Sequence, residues 1–124
     1  MRRGKAARPG ANPEAGSRLK KERYETMRMK LVNRGNSADI LLIGRLDVNA
    51  AEQAEQALLS ATERFDNVTL DLEQLDYISS AGLRAIKSFY LAMRRKGGGY
   101  RVANIQQPVM DIFEATGFVR LLKL

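Results

Sequence analysis

The chain contains neither cysteine nor histidine. Without thiols there is no disulfide framework and no thiolate nucleophile, and without imidazole there is no histidine base and no ordinary zinc or copper ligand set. Most enzyme chemistries are excluded at once. No apolar run approaches the roughly 20 residues that a membrane-spanning helix requires. The start, MRRGKAARPGANPEAG, is basic but lacks the apolar stretch of a secretory signal, so a cytoplasmic location is expected. Asp47, Asp71, Glu73 and Asp76 lack the spacing of a calcium loop and read as surface or turn residues. Neither a metal site nor a cofactor is expected.

What is present suits one soluble domain with a real core: 124 residues, 44% hydrophobic and 28% charged. The net charge of +7 is unevenly placed, because residues 1–25 carry eight basic and three acidic groups and hold +5 of it. Two of the three prolines and three of the ten glycines also fall there. This segment reads as a mobile solvated tail rather than a nucleic-acid or membrane-surface element, so no direct nucleic-acid contact is expected. The folded domain is placed at residues 26–124.

From Met27 the pattern becomes regular. Met27, Met29 and Leu31 alternate with Arg28, Lys30 and Val32 as in a half-exposed strand, and Asn33 to Ser37, with Gly35, supplies a hairpin turn. The uninterrupted run Ile40 to Ile43 reads as a strand covered on both faces, which predicts a sheet with layers on two sides or at least a well-buried central strand. Ala54, Leu58, Ala61 and Phe65 recur at helical spacing, with Glu52, Gln53, Glu55, Gln56, Glu63 and Arg64 on the other face. Val68, Leu70 and Leu72 alternate in a further strand. A second helix is predicted from about Ser80 to Lys96, with Leu83, Ile86, Tyr90 and Met93 on one stripe and Gly97 to Gly99 as its stop. Tyr100 to Ala103 predicts a short strand. Pro108 begins a helix with Val109, Ile112 and Phe113 inward, Gly117 closes it, and Phe118 to Leu122 is a last strand candidate. The order β-β-α-β-α-β-α-β predicts an α/β domain with a mainly parallel mixed sheet, an N-terminal hairpin edge and helices packed against it.

The informative stretch is Asp71 to Ile86, DLEQLDYISSAGLRAI, where a strand ends, a loop turns, and two serines stand where a helix begins. Backbone N–H groups of a first helical turn lack intrahelical partners, so a serine oxygen at this point is suited to accept one of them. The same donors and the helix dipole favour an added phosphate there. Small Ala81 and Gly82 beside it would let another protein's active site approach. A serine hydrolase is disfavoured, because no histidine exists to activate the hydroxyl and Lys87 sits two turns along the helix.

LEQLDYISSAGLRAI resembles the phosphorylation-site loop of bacterial anti-sigma factor antagonists, which are single STAS domains. Leu42 to Ala51, with Gly44-Arg45-Leu46-Asp47, is similar to that family's Gly-x-Leu-Asp segment, and Ala103 to Phe118 to its closing helix with the Thr-Gly end. The resemblance implies a STAS-like fold with Ser80 as phosphoacceptor. Ser79 stands where many members have Asp, and Ala81 where they have a second serine. The partner-binding set it implies is Asp47, Asn49, Ser79, Ala81, Gly82, Leu83 and Arg84. Asp47 matches an acidic residue that helps the kinase engage the loop, and reads equally well as a helix-start residue.

The partners it implies are an anti-sigma factor serine kinase, bound when Ser80 is unphosphorylated so that a sigma factor is released for transcription, and a PP2C-type phosphatase that resets the switch. The chain would then be a substrate and binder, not an enzyme. The alternative is a STAS scaffold or docking subunit of a larger signalling or lipid-transport assembly, without phosphoswitching. Family members usually continue past the last strand into one more helix, so an apolar patch is expected where this sequence stops at Leu124.

Overall fold

A computed structural model describes residues 27–124; the basic segment 1–25 lies outside the described residues. The described residues open with a hairpin of β1 (Met27–Arg34) and β2 (Ser37–Leu46), antiparallel, with Arg34 opposite Ser37. That register leaves two residues for the turn. Gly35, at φ +85°, takes the first of them, the left-handed conformation that a two-residue hairpin needs there. The Asn33 side chain accepts from the Gly35 N–H at 2.9 Å, and Arg34 pairs with Asp39 at 2.9 Å across the same end.

Helix α1 (Val48–Arg64) follows, then β3 (Asn67–Asp71), β4 (Leu75–Ile78), α2 (Ser80–Lys96), β5 (Gly99–Ala103), α3 (Gln107–Thr116) and the single turn α4 (Phe118–Leu121). The sheet order is β1-β2-β3-β5, with β4 also on β2; every pair after the hairpin is parallel. This is the expected mixed sheet with an antiparallel edge.

Two elements differ from expectation. Leu75–Ile78, read as part of a loop, is a strand. β2 is ten residues long, β3 covers it only from Ser37 to Leu41, and β4 takes over from Gly44 to Leu46 across a register shift between Gly44 and Arg45. Gly44 turns there at φ +103° and donates its N–H to the Gln74 carbonyl at 2.8 Å. Phe118 to Leu122, read as a strand, is instead helical. Its five residues satisfy either period, and burial chooses: Phe118 and Leu122, four apart, both enter the core while Phe118 packs on Phe113 with ring centroids 5.7 Å apart.

The core is one cluster drawn from the inward side of the sheet and the four helices of the described residues, with Ile40, Leu42, Leu58, Leu70, Ile86, Phe89, Val109 and Phe113 essentially without solvent contact. β2 is therefore fully covered on one face only. Leu41 and Ile43 are half-buried; Lys30 and Arg28 stand opposite them in register, and long basic stems of this kind shelter apolar neighbours while their charges stay in water. Of the two arrangements expected for Ile40 to Ile43, a second apolar layer is absent among the described residues, and β2 is instead a central strand buried on its inner face.

The helix ends follow from local chemistry. Gly97 and Gly117, at φ +76° and +83°, stop α2 and α3 in the left-handed cap conformation. Tyr90 of α2 meets Tyr100 of β5 edge to face, centroids 5.0 Å apart. At the far end of α1, Lys96 of α2 donates its ammonium to the Thr62 and Phe65 carbonyls, the second at 2.9 Å. One lysine thus satisfies two carbonyls that the end of a helix leaves open. Replacing it, Lys96→Met, is expected to lower the unfolding free energy by about 1–2 kcal/mol in urea denaturation while keeping the fold, since the charge-assisted bonds go and the apolar stem remains.

Candidate functional site

β2 and β4 are parallel neighbours, so their carboxyl ends lie side by side, and each is followed within two residues by a helix. The starts of α1 and α2 are thereby brought to one edge of the sheet. Residues 33 positions apart in sequence meet there: the Leu46 carbonyl accepts from the Ser79 N–H at 2.9 Å and from the Ser79 hydroxyl at 3.0 Å.

Each helix is capped by its own chemistry. The Asp47 carboxylate accepts from the Asn49 and Ala50 N–H groups, both at 3.0 Å, and so places a negative charge at the positive end of α1. Of the two roles open to Asp47, the structure displays the helix-start role. α2 is capped by Ser79, in extended conformation at φ −92°, whose hydroxyl oxygen accepts from the Gly82 N–H at 3.1 Å. Of the two serines at this helix start, the one that supplies the capping oxygen is Ser79. The helix starts at Ser80, as the residue pattern predicts, so Ser79 is the cap and Ser80 is the first helical residue.

The two serines are consequently different groups. Ser79 is half-buried and its hydroxyl is engaged as donor to Leu46 and acceptor from Gly82. Ser80 is exposed.

Gly82 and Leu83 are turned inward, not towards an approaching protein. Both are buried, and a Cβ on Gly82 would lie 2.8 Å from the Leu46 Cγ and 2.9 Å from both the Ile78 Cγ1 and the Leu46 carbonyl oxygen. Glycine is therefore required for α2 to start this close to β2. Asn49, Ser80 and Arg84 are exposed, and Asp47, Ser79 and Ala81 are half-buried, so these remain at the surface of the edge.

Two features of this edge escape a reading of the sequence. Val48, the first residue of α1, is 67% exposed, the most open large apolar side chain among the described residues. The Arg45 guanidinium lies 4.3 Å from the centroid of the Tyr77 ring, across the β2–β4 pair. Gly-x-Leu-Asp marks Arg45 as the variable position, but its partner Tyr77 is set by strand pairing.

Residues 29–124 match the STAS domain family. The chain belongs to that family. Among named relatives, this STAS chain is 36% identical over 72 residues to BtrV of Bordetella bronchiseptica, which carries the name of an anti-sigma factor antagonist; the match spans 57% of the chain and 62% of that relative's length. In structure it is similar to an anti-sigma factor antagonist from Mycobacterium paratuberculosis, with a TM-score of 0.67 at 17% identity, covering 77% of this chain and 81% of the other. It is also similar to the Bacillus cell fate determinant SpoIIAA in its phosphorylated form, with a TM-score of 0.57 at 21% identity, covering 73% and 83%. At such identities the two structures speak for the fold. No helix among the described residues is long and apolar enough to cross a membrane.

The division of labour between the serines has a direct thermodynamic signature. Ser79→Ala is expected to lower the unfolding free energy by about 1 kcal/mol, the usual loss for a serine cap, whereas Ser80→Ala should stay within about 0.5 kcal/mol of the parent. Gly82→Ala should be the most damaging of the three, at about 1–3 kcal/mol, because backbone must move to admit the methyl group. Equilibrium denaturation of the three variants checks the order.

Proposed function

We propose that this STAS domain is a cytoplasmic anti-sigma factor antagonist, a binder and kinase substrate rather than an enzyme, switched by phosphorylation of Ser80. The observation that carries this reading is the contrast between the serines: Ser79 uses its hydroxyl to hold α2 on Leu46, while Ser80 stands exposed one residue later. The names of its relatives support the antagonist role, and a fold neighbour, SpoIIAA, has been solved in a phosphorylated form.

In the unphosphorylated state the edge formed by Asp47, Val48, Asn49, Ser80, Ala81 and Arg84 docks on an anti-sigma factor serine kinase, and the sigma factor is released for transcription. Exposed Val48 supplies apolar area to that contact. Gly82 and Leu83 serve from below by seating the helix. The kinase then transfers the γ-phosphoryl group of ATP to the Ser80 oxygen, ADP leaves, and the hydroxyl proton passes to the kinase's base. Magnesium, nucleotide and base all belong to the kinase.

The product carries about −1.5 to −2 charges at neutral pH, placed in the middle of a fitted surface, so the complex weakens. At the first position of α2 the phosphate also lies beside N–H groups that a helix leaves unpaired, so the modification is tolerated by the domain even as it breaks the interface. A PP2C-type phosphatase restores the hydroxyl. Residues 26–124 are the working domain in this reading.

Incubation with ATP and the anti-sigma kinase encoded nearest to it is expected to add one phosphate, read by intact mass spectrometry, and Ser80→Ala should abolish it while retaining the fold. Full phosphorylation of Ser80→Ala would move the acceptor elsewhere, with Ser79 as the first candidate.

A further inference from the structure

Helix α2 carries Arg84, Lys87, Arg94, Arg95 and Lys96 and has no carboxylate in its 17 residues. Three of these cations occupy the last turn, where the helix dipole favours positive charge. Two of those three are also engaged, Lys96 with the carbonyls of Thr62 and Phe65 and Arg94 with the Tyr90 hydroxyl at 3.0 Å.

Arg84 is placed differently. It sits near the start of the helix, where the dipole opposes a cation, it is exposed, and among the described residues it forms no ion pair. Asp47, the carboxylate that caps the neighbouring helix, is turned to the N–H groups of its own helix. The α2 cap is a neutral serine, so no negative charge on α2 balances Arg84.

Ser80 lies four residues before Arg84 and shares its helix face, and an anion preceding a cation by four residues is the favourable order on a helix. We infer that Arg84 is a phosphate clamp: once Ser80 is phosphorylated, its guanidinium closes over the phosphate oxygens and holds them against the first turn of α2. The inference rests on Ser80 as the acceptor and adds how its modified state is held. Arginine suits the task because its planar fork offers parallel donors to a phosphate, which a lysine cannot match. Modification then acts twice on the docking edge. It creates an anion, and it withdraws from any acidic partner the cation that stood free beside it.

The test requires no kinase. Phosphoserine is installed at position 80 during translation, and the phosphate is titrated by phosphorus NMR in the otherwise unchanged chain and in Arg84→Gln and Arg84→Lys. With Arg84 in place, the second ionisation, normally near pH ~6, should fall about half a pH unit lower than in Arg84→Gln, with Arg84→Lys between them. The difference should shrink as salt is raised, because the pair is exposed. Identical titrations in the parent and Arg84→Gln overturn the clamp. Circular dichroism melts of the unmodified variants show that each is folded, as expected for an exposed position. Because the phosphate is supplied in translation, equal titrations defeat the clamp alone, whereas loss of Ser80 modification in the kinase assay defeats the switch.

Discussion

The backbone carbonyl of Leu46 is the point on which this edge of the molecule turns. It accepts two bonds from Ser79, one from the amide and one from the hydroxyl, and Gly82 lies against it so closely that no side chain fits between. Those contacts set the height and direction at which α2 leaves the sheet. Leu83, Ile86, Tyr90 and Met93 then fall on the core side, and Ser80 and Arg84 fall on the solvent side. A small displacement at Leu46 would be carried along the whole helix, because a packed interior resists gradual adjustment.

The same junction brings two helix starts together and treats them unequally. α1 has an acidic cap in Asp47 and α2 a neutral one in Ser79. Parallel strands side by side necessarily deliver their following helices to one edge, so this is a consequence of topology, and the caps give it chemical character. The α2 start keeps its partial positive charge and has Arg84 added to it, which makes it the more hospitable of the two to a phosphate. The adjacent serines are treated unequally too: the inward one helps seat α2 on Leu46, and the outward one is exposed.

Much of the fold was legible from residue pattern because local and global preferences agree. Gly35 in a two-residue turn, the Ala54-Leu58-Ala61 stripe, the Leu83-Ile86-Tyr90-Met93 stripe and the stops at Gly97 and Gly117 all carry their own local reasons. The errors fall where local pattern is degenerate. Leu75–Ile78 is four residues long and is a strand only because β2 outlasts β3 and offers a second partner past the turn at Gly44. Phe118 to Leu122 is apolar at four of five positions, and only the place of Phe113 beside Phe118 selects the helical spacing. The Ile40 to Ile43 run overstated burial, since register with Arg28 and Lys30 leaves its outer face half open.

By itself the sequence determined the class of fold, the absence of thiol and imidazole chemistry, and the presence of two serines at a helix start. These depend on composition and on spacing along the chain, which sequence records directly. Tertiary structure alone decided which serine is spent and which is available, why position 82 must be glycine, and that Asp47 and Ser79 stand on one edge. Each of those depends on where the Leu46 backbone lies relative to a helix that starts 33 residues later, a distance through space that no local pattern encodes.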